Sequence, residues 1–220
     1  MAPLLEQAGH HVVAPDLPGM GDDTTPLADV SLQSWTDFLS ELLDAQDEPV
    51  VLVGHSRGGL NITAAAEARP GRIKRLVYLC AYLLRDGESI IGVTSENADS
   101  QILAKLIPSD DQVSVTLSDE TLRELFYNGF SEDDIALALS RVCPEPLAPA
   151  TTPVSRSDAN FGRVPRTYIE CLDDKAVPPS LQKQMYEGSP CERVISMPTG
   201  HSPFMSAPEE LAGHLLELAE

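Results

Sequence analysis

The chain has 220 residues and a formal net charge of −19 at pH 7, and this length suits one domain with a sizeable core. So acidic a balance argues against a nucleic-acid partner or an anionic membrane surface. The longest apolar run, residues 76–84, is too short to span a bilayer as a helix, and the first residues carry no secretory signal. We therefore expect a cytoplasmic protein.

The first part of the chain alternates between strand and helix patterns. In chain order, we predict a helix tail over residues 3–8, a strand over 10–14, a helix after Ser31, a strand from residue 50, a helix over 60–69 and a strand over 73–79. Such alternation implies a parallel sheet with right-handed crossovers. The fold class is therefore α/β.

From residue 85 to residue 157, prolines and acidic pairs replace this alternation. Amphipathic helices are predicted over 120–127 and 133–142, with Ser118 and Ser131 as their N-caps. We interpret residues 85–157 as an inserted helical cap and residues 1–84 and 158–220 as the core. A lid over a site is the preferred interpretation, because such segments commonly close active sites; an irregular surface insertion without function is the alternative.

After the cap, the alternation of strand and helix resumes. We predict strands over 166–170 and 193–197 and helices over 179–186 and 208–218. In the last helix, Leu211, Leu215 and Leu218 are expected to face the core.

A Gly-x-Ser-x-Gly motif, Gly54 to Gly58, follows the strand from residue 50 and precedes a helical pattern. This arrangement is typical of a nucleophile elbow, in which the serine sits on a strained turn and its flanking glycines avoid clashes between strand and helix. The helix N-terminus then points its free N–H groups at an oxyanion formed beside Ser56. A glycine-rich turn with an ordinary helix-start serine is the alternative.

Three reactive residues stand just after predicted strands: Ser56, Asp174 and His201. A serine hydroxyl is a weak nucleophile and needs a base, and the ends of parallel strands gather at one edge of the sheet. We therefore predict Ser56 as nucleophile, His201 as base and Asp174 as the acid that orients it. Asp173 is the alternative acid. The backbone N–H of Arg57 is the predicted oxyanion donor, and its side chain is expected in a surface or cap ion pair.

The other histidines and the cysteines are given no catalytic role. His10 and His11 would point to opposite faces of a strand, His214 lies mid-helix, and His55 is read as packing. The cysteines show no metal-ligand spacing. We expect Cys80 and Cys171, which lie in apolar strand-like runs, to be buried and reduced, and we predict no metal.

Four segments together resemble the α/β-hydrolase superfamily: residues 14–19, 54–59, 168–174 and 200–203. The resemblance covers nearly the whole chain and is strongest to the branch of plant methylesterases, hydroxynitrile lyases and bacterial pyrethroid-type carboxylesterases. It implies hydrolysis of a small or hydrophobic carboxylic ester through a serine acyl-enzyme, without a cofactor. Hydroxynitrile lyases of this branch place Lys after the catalytic His, whereas this chain has Ser202, which argues against cyanohydrin cleavage.

The resemblance also implies an earlier strand and a His-Gly loop that supplies a second oxyanion donor, and no such segment precedes Met1. In the family, this strand lies between those at 10–14 and 50–53, so its absence would leave two strand edges unpaired. A lost oxyanion donor typically costs about 3–4 kcal/mol. We therefore expect a shortened sequence, less stable and less active than a form carrying the segment.

Two other function classes stay open at this point. The same fold could serve as a ligand-binding receptor that turns over slowly or not at all, or as a lyase or acyltransferase using the same three residues. The sequence leaves open which ester is cleaved and what the oligomeric state is.

Overall fold

The computed structural model describes residues 1–220. Its helices are α1 (Ala2–Gln7), α2 (Leu32–Asp44), α3 (Gly58–Ala68), α4 (Ile90–Glu96), α5 (Ile102–Lys105), α6 (Asp119–Leu125), α7 (Glu132–Leu139), α8 (Leu147–Thr151), α9 (Pro179–Gly188), α10 (Pro203–Ser206) and α11 (Pro208–Ala219). Its strands are β1 (Val50–His55), β2 (Ile73–Leu79), β3 (Ile107–Pro108), β4 (Ser114–Thr116), β5 (Glu145–Pro146), β6 (Arg166–Cys171) and β7 (Arg193–Met197). None of the helices is long and apolar enough to cross a membrane.

The main sheet has four parallel strands in the order β1-β2-β6-β7. The predicted parallel α/β sheet is thus confirmed, and the strand predictions from residue 50 onward agree with its members. Because all four strands run the same way, the residues that follow β1, β2, β6 and β7 lie along one edge of the sheet.

Side chains of the sheet alternate between two apolar clusters. In β2, Leu76 and Tyr78 belong to the cluster that contains the buried residues of α2, α3 and α9. Val77 and Leu79 belong to the second cluster, which α11 and the partly buried residues of α1 complete. Leu211, Leu215 and Leu218 are buried there, as predicted. The molecule is therefore a three-layer α/β/α arrangement in which one sheet separates two cores.

Local sequence explains where the helices start. Ser31 caps α2 in a reciprocal capping box with Ser34. Ser118 and Ser131 cap α6 and α7 through side chains that accept from the third residue of each helix, which confirms the two predicted cap residues. Gly9, with φ +93°, follows the first helix at the predicted stop.

The predicted strand over residues 10–14 is wrong. These residues form no strand, and most of them are exposed, Val13 among them. A strand is stable only as part of a ladder, and the backbone of this segment pairs with no neighbouring strand. The apolar pattern of these residues therefore does not by itself make a strand.

Residues 85–157 contain more structure than the sequence indicated. Helices α4, α5 and α8 and a small antiparallel sheet, ordered β3-β4-β5, accompany the two predicted helices. Strands of two or three residues are too short to give a readable alternation. The division into a core and a cap stays a prediction.

Both cysteines in the sheet region behave as expected. Cys80 and Cys171 are buried and all four cysteines are free thiols. Cys80 also has an unusual backbone, since its φ of +37° lies in the left-handed region that non-glycine residues seldom adopt.

Candidate active site

Ser56 lies on a strained turn between β1 and α3. Its φ of +53° is left-handed, a conformation that costs an ordinary residue about 1–2 kcal/mol. Its N–H donates to the carbonyl of Leu79 at 3.2 Å, and its own carbonyl accepts from the N–H of Tyr82 at 3.0 Å. The turn is therefore held by the end of β2 and the residues after it.

Two glycines make this turn possible, and one of them differs from the prediction. A Cβ on Gly54 would lie 2.6 Å from the carbonyl oxygen of Gly58, so the strand and the helix do nearly collide there. A Cβ on Gly58, in contrast, would meet nothing within 4 Å, so the steric role predicted for Gly58 is wrong. Gly59 has that role instead, because its Cβ would lie 2.4 Å from the carbonyl oxygen of Tyr82.

His201 and Asp174 form a buried hydrogen-bonded pair. His201 Nδ1 lies 2.8 Å from Asp174 Oδ2, and both side chains are fully buried. An ionised carboxylate only accepts hydrogen bonds, so Nδ1 carries the proton and Nε2 is left as the basic nitrogen. Asp174 Oδ1 accepts from the N–H groups of Ala176 and Val177 at 2.8 and 2.9 Å, which fixes the carboxylate.

Between the two candidate acids, the structure places Asp174 against His201. Asp173 is exposed, and its N–H donates to the carbonyl of Thr199 at 3.0 Å. Its side chain makes no hydrogen bond to the imidazole. Asp173 therefore has no contact through which to orient His201.

The structure does not join Ser56 to His201 by a hydrogen bond. The Nε2 atom of His201 is buried and has no hydrogen-bond partner. Ser56 nevertheless follows directly after a residue that contacts this imidazole. The ring centroid of His55 lies 4.6 Å from that of His201. Catalytic hydrogen bonds of this type often form only when substrate is bound.

Arg57 presents its backbone and its side chain to different neighbours. Its N–H donates to no acceptor within the protein, and it immediately precedes the first turn of α3. Its guanidinium lies over the Trp35 ring at 4.4 Å and pairs with Glu145 at 3.5 Å. The predicted surface or cap ion pair is thus present as the contact with Glu145, and the N–H is free to bind an anion.

Sequence reasoning missed Gln182, which braces the acid. Gln182 is fully buried in α9, accepts from the N–H of Cys171 at 3.0 Å and donates to the carbonyl of Val177 at 2.8 Å. Its Nε2 also lies 3.4 Å from Asp174 Oδ2. The sequence signal that points to Gln182 is a polar residue on the apolar face of a helix, next to Leu181.

Phe126, at the end of α6, was also missed. Its ring meets that of His201 edge to face, with the centroids 4.9 Å apart. The inserted segment therefore covers the imidazole with an aromatic wall, which Tyr127 and Phe130 extend. This contact supports the interpretation of residues 85–157 as a lid.

One group of side chains has the composition of a metal site. Donor atoms of His55, Cys80 and His201 lie within 4.8 Å of one another. The His55 and Cys80 donors, however, already bond to the His201 carbonyl, at 2.8 and 3.4 Å. Burial also raises the pKa of the Cys80 thiol well above its usual value, which disfavours the thiolate that a metal needs. We assign no metal to this group.

Known proteins are similar to this chain in sequence and fold. The sequence profile of the alpha/beta hydrolase family matches residues 1–214. The chain is 35% identical to the Arabidopsis thaliana protein named "Putative methylesterase 11, chloroplastic" over 98% of its own length, and it spans 58% of that protein. It is 31% identical to the pyrethroid hydrolase of Sphingobium wenxiniae, covering all of this chain and 81% of that one.

A solved esterase structure has a similar fold. Polyneuridine aldehyde esterase superposes with a TM-score of 0.86 at 27% sequence identity, over 99% of this chain and 91% of the esterase.

Proposed function

Because this chain belongs to the alpha/beta hydrolase family, we propose that it is a serine-dependent hydrolase of small-molecule carboxylic esters. Ser56 is the nucleophile, His201 the base and Asp174 the acid that orients the base. The observation that carries the proposal is the buried pair of His201 and Asp174, 2.8 Å apart, with Nε2 of the imidazole unpartnered.

The reaction follows from the proton positions. His201 Nε2 takes the Ser56 hydroxyl proton as the serine oxygen attacks the ester carbonyl. The negative charge that develops on the carbonyl oxygen is stabilised by the free N–H of Arg57 and by the N-terminal end of α3. When the tetrahedral intermediate collapses, the C–O bond to the alcohol breaks and the imidazolium returns its proton to the leaving oxygen. Water then hydrolyses the acyl-enzyme by the same proton transfers.

The substrate class rests on the relatives. Their names describe a putative methylesterase, a pyrethroid hydrolase and a polyneuridine aldehyde esterase, and we propose an ester whose acyl or alcohol group is apolar. The aromatic residues Phe126, Tyr127 and Phe130 near the imidazole support this. The cytoplasmic location stays a prediction, for which cell fractionation is the test.

A ligand-binding protein with little or no turnover is the second candidate. The observation in its favour is that the Ser56 hydroxyl makes no hydrogen bond to His201 Nε2. If this hydrogen bond never forms, the Ser56 hydroxyl has no base to take its proton and is not activated as a nucleophile.

The two candidates are separated by turnover of p-nitrophenyl acetate. We expect a burst followed by steady turnover in the wild type, and the loss of both in Ser56→Ala. Ser206→Ala is the matched control, because Ser206 is an exposed serine at the end of α10. Equal rates for wild type and Ser56→Ala, together with saturable ester binding, would favour the binding protein.

A further inference from the structure

The carbonyl oxygen of His201 is held by two side chains. His55 Nε2 lies 2.8 Å from it, and Cys80 Sγ lies 3.4 Å from it. His55 is the last residue of β1 and Cys80 directly follows the neighbouring strand β2. Two adjacent strands of the rigid sheet therefore converge on one backbone atom of the loop that carries the imidazole.

The chemistry of this contact fixes the state of His55. A carbonyl oxygen can only accept, so His55 Nε2 carries a hydrogen, and in the neutral ring Nδ1 then carries none. Burial and the proximity of His201 lower the pKa of His55 to about 3, so the ring is neutral near pH 7. It thus supplies a hydrogen bond without adding positive charge beside the imidazole that accepts the serine proton.

The surroundings hold the His55 ring in this orientation. The ring of Phe204 meets it edge to face at 5.1 Å, and the ring of His201 lies against it at 4.6 Å. Cys80 reaches the same carbonyl from a left-handed backbone conformation, with φ +37°. Non-glycine residues rarely hold this conformation unless the surrounding structure imposes it.

We propose that His55 is a positioning residue, and that with Cys80 it anchors the backbone of His201 so that Nε2 is aimed at Ser56. The inference rests on the proposed function and deepens it. Asp174 fixes the imidazole through Nδ1, while His55 and Cys80 fix the main chain from the opposite end of the residue. With the backbone anchored, the two side-chain torsions of His201 are left, and the hydrogen bond from Nδ1 to the carboxylate restrains them. A shift of about 1 Å in such a group can lower a rate about a hundredfold.

The test compares two amides at position 55. In His55→Gln the side-chain nitrogen can take the place of Nε2. The side chain in His55→Asn is shorter, so its nitrogen takes the place of Nδ1 and does not reach the carbonyl. We expect His55→Gln to keep kcat within about threefold of the wild type, and His55→Asn to lose about tenfold in kcat with KM within about twofold. His214→Asn, at a half-buried histidine of α11, is the control and should leave both constants unchanged.

A second measurement is independent of turnover. In a Ser56→Ala background, the proton on His201 Nδ1 should give a downfield NMR signal from its hydrogen bond to Asp174. We expect this signal to stay sharp with His55→Gln and to broaden with His55→Asn. Cys80→Ala, which removes the longer bond, should broaden it less.

The outcomes separate the two proposals. Equal kcat and equal line widths for His55→Gln and His55→Asn would overturn the positioning role, because packing alone would then explain His55. No Ser56-dependent turnover in the wild type, with the NMR difference intact, would overturn the esterase proposal and leave the anchor standing.

Discussion

The brace behind the proposed acid offers the sharpest test of how the site is built. Gln182→Met replaces a fully buried amide in α9 with an apolar side chain of similar length. The substitution removes the acceptor for the N–H of Cys171 and the donor to the carbonyl of Val177. The carbonyl of Cys171, which Gln182 also contacts, keeps a bond from the N–H of Asp174 at 3.4 Å.

The expected loss of stability follows from the two backbone groups that Gln182→Met leaves without a hydrogen-bond partner. Each buried backbone group left without a partner costs about 1–3 kcal/mol, so the free energy of unfolding should fall by about 2–6 kcal/mol. That is a large share of the about 5–15 kcal/mol that stabilises a typical domain. For a chain of this length, about 2–4 °C in Tm corresponds to each kcal/mol, so the middle of the range predicts a Tm about 10 °C lower. Because the same amide lies beside Asp174, we also expect kcat to fall.

The measurement is urea unfolding at pH 7, with ester turnover on the same samples. Gln184→Met is the matched control, since Gln184 lies two residues further along α9 and is exposed. We expect the control to stay within about 0.5 kcal/mol of the wild type. A loss of less than about 1 kcal/mol in Gln182→Met would show that the site does not depend on this amide, and the reasoning would be wrong.

Three further predictions address the acid, the elbow and pH. Asp174→Asn should lower kcat by about 10⁴-fold, as loss of the orienting carboxylate does in comparable triads, while Asp173→Asn changes kcat little; equal losses would contradict the assignment of Asp174. Gly59→Ala should lower the free energy of unfolding by about 1–3 kcal/mol by overpacking against the Tyr82 backbone, whereas Gly58→Ala should be neutral or stabilising. Chemical denaturation measures both, and equal changes in the two variants would contradict the steric role of Gly59. Folded His55 resists protonation down to about pH 3, whereas unfolded His55 binds a proton below about pH 6.5. Wild-type stability should therefore fall with pH in this window, relative to His55→Gln, by up to about 1.4 kcal/mol per pH unit, and parallel stability curves would refute it.

The sequence predicts the sheet from residue 50 onward because its strands are apolar runs with clear ends. Residues 73–79 and 193–197 match β2 and β7 at both ends. The failure at residues 10–14 has a physical cause, because a strand pattern says nothing about whether a partner strand exists. Pattern reasoning identifies a segment that can pair, and only the fold provides the pairing.

In the site, too, the sequence predicts some residues, and only the fold gives the roles of others. Ser56, Asp174 and His201 could be selected because each follows a strand end, and the structure pairs two of them. The roles of Gln182, Cys80 and Phe126 could not be predicted, because they depend on contacts across 11 to 121 positions of the chain. The reassignment from Gly58 to Gly59 depends on the backbone of Tyr82, which the five-residue motif does not include.

The turn at Ser56 is fastened at both its amide and its carbonyl to residues 79–82. None of these residues takes part in a step of the proposed reaction, yet they govern the shape of the turn as firmly as its glycines do. An engineer who transplants the serine turn into another scaffold would have to transplant this second segment with it. A mutant library aimed at new substrates should likewise spare residues 79–82 and diversify the aromatic wall instead.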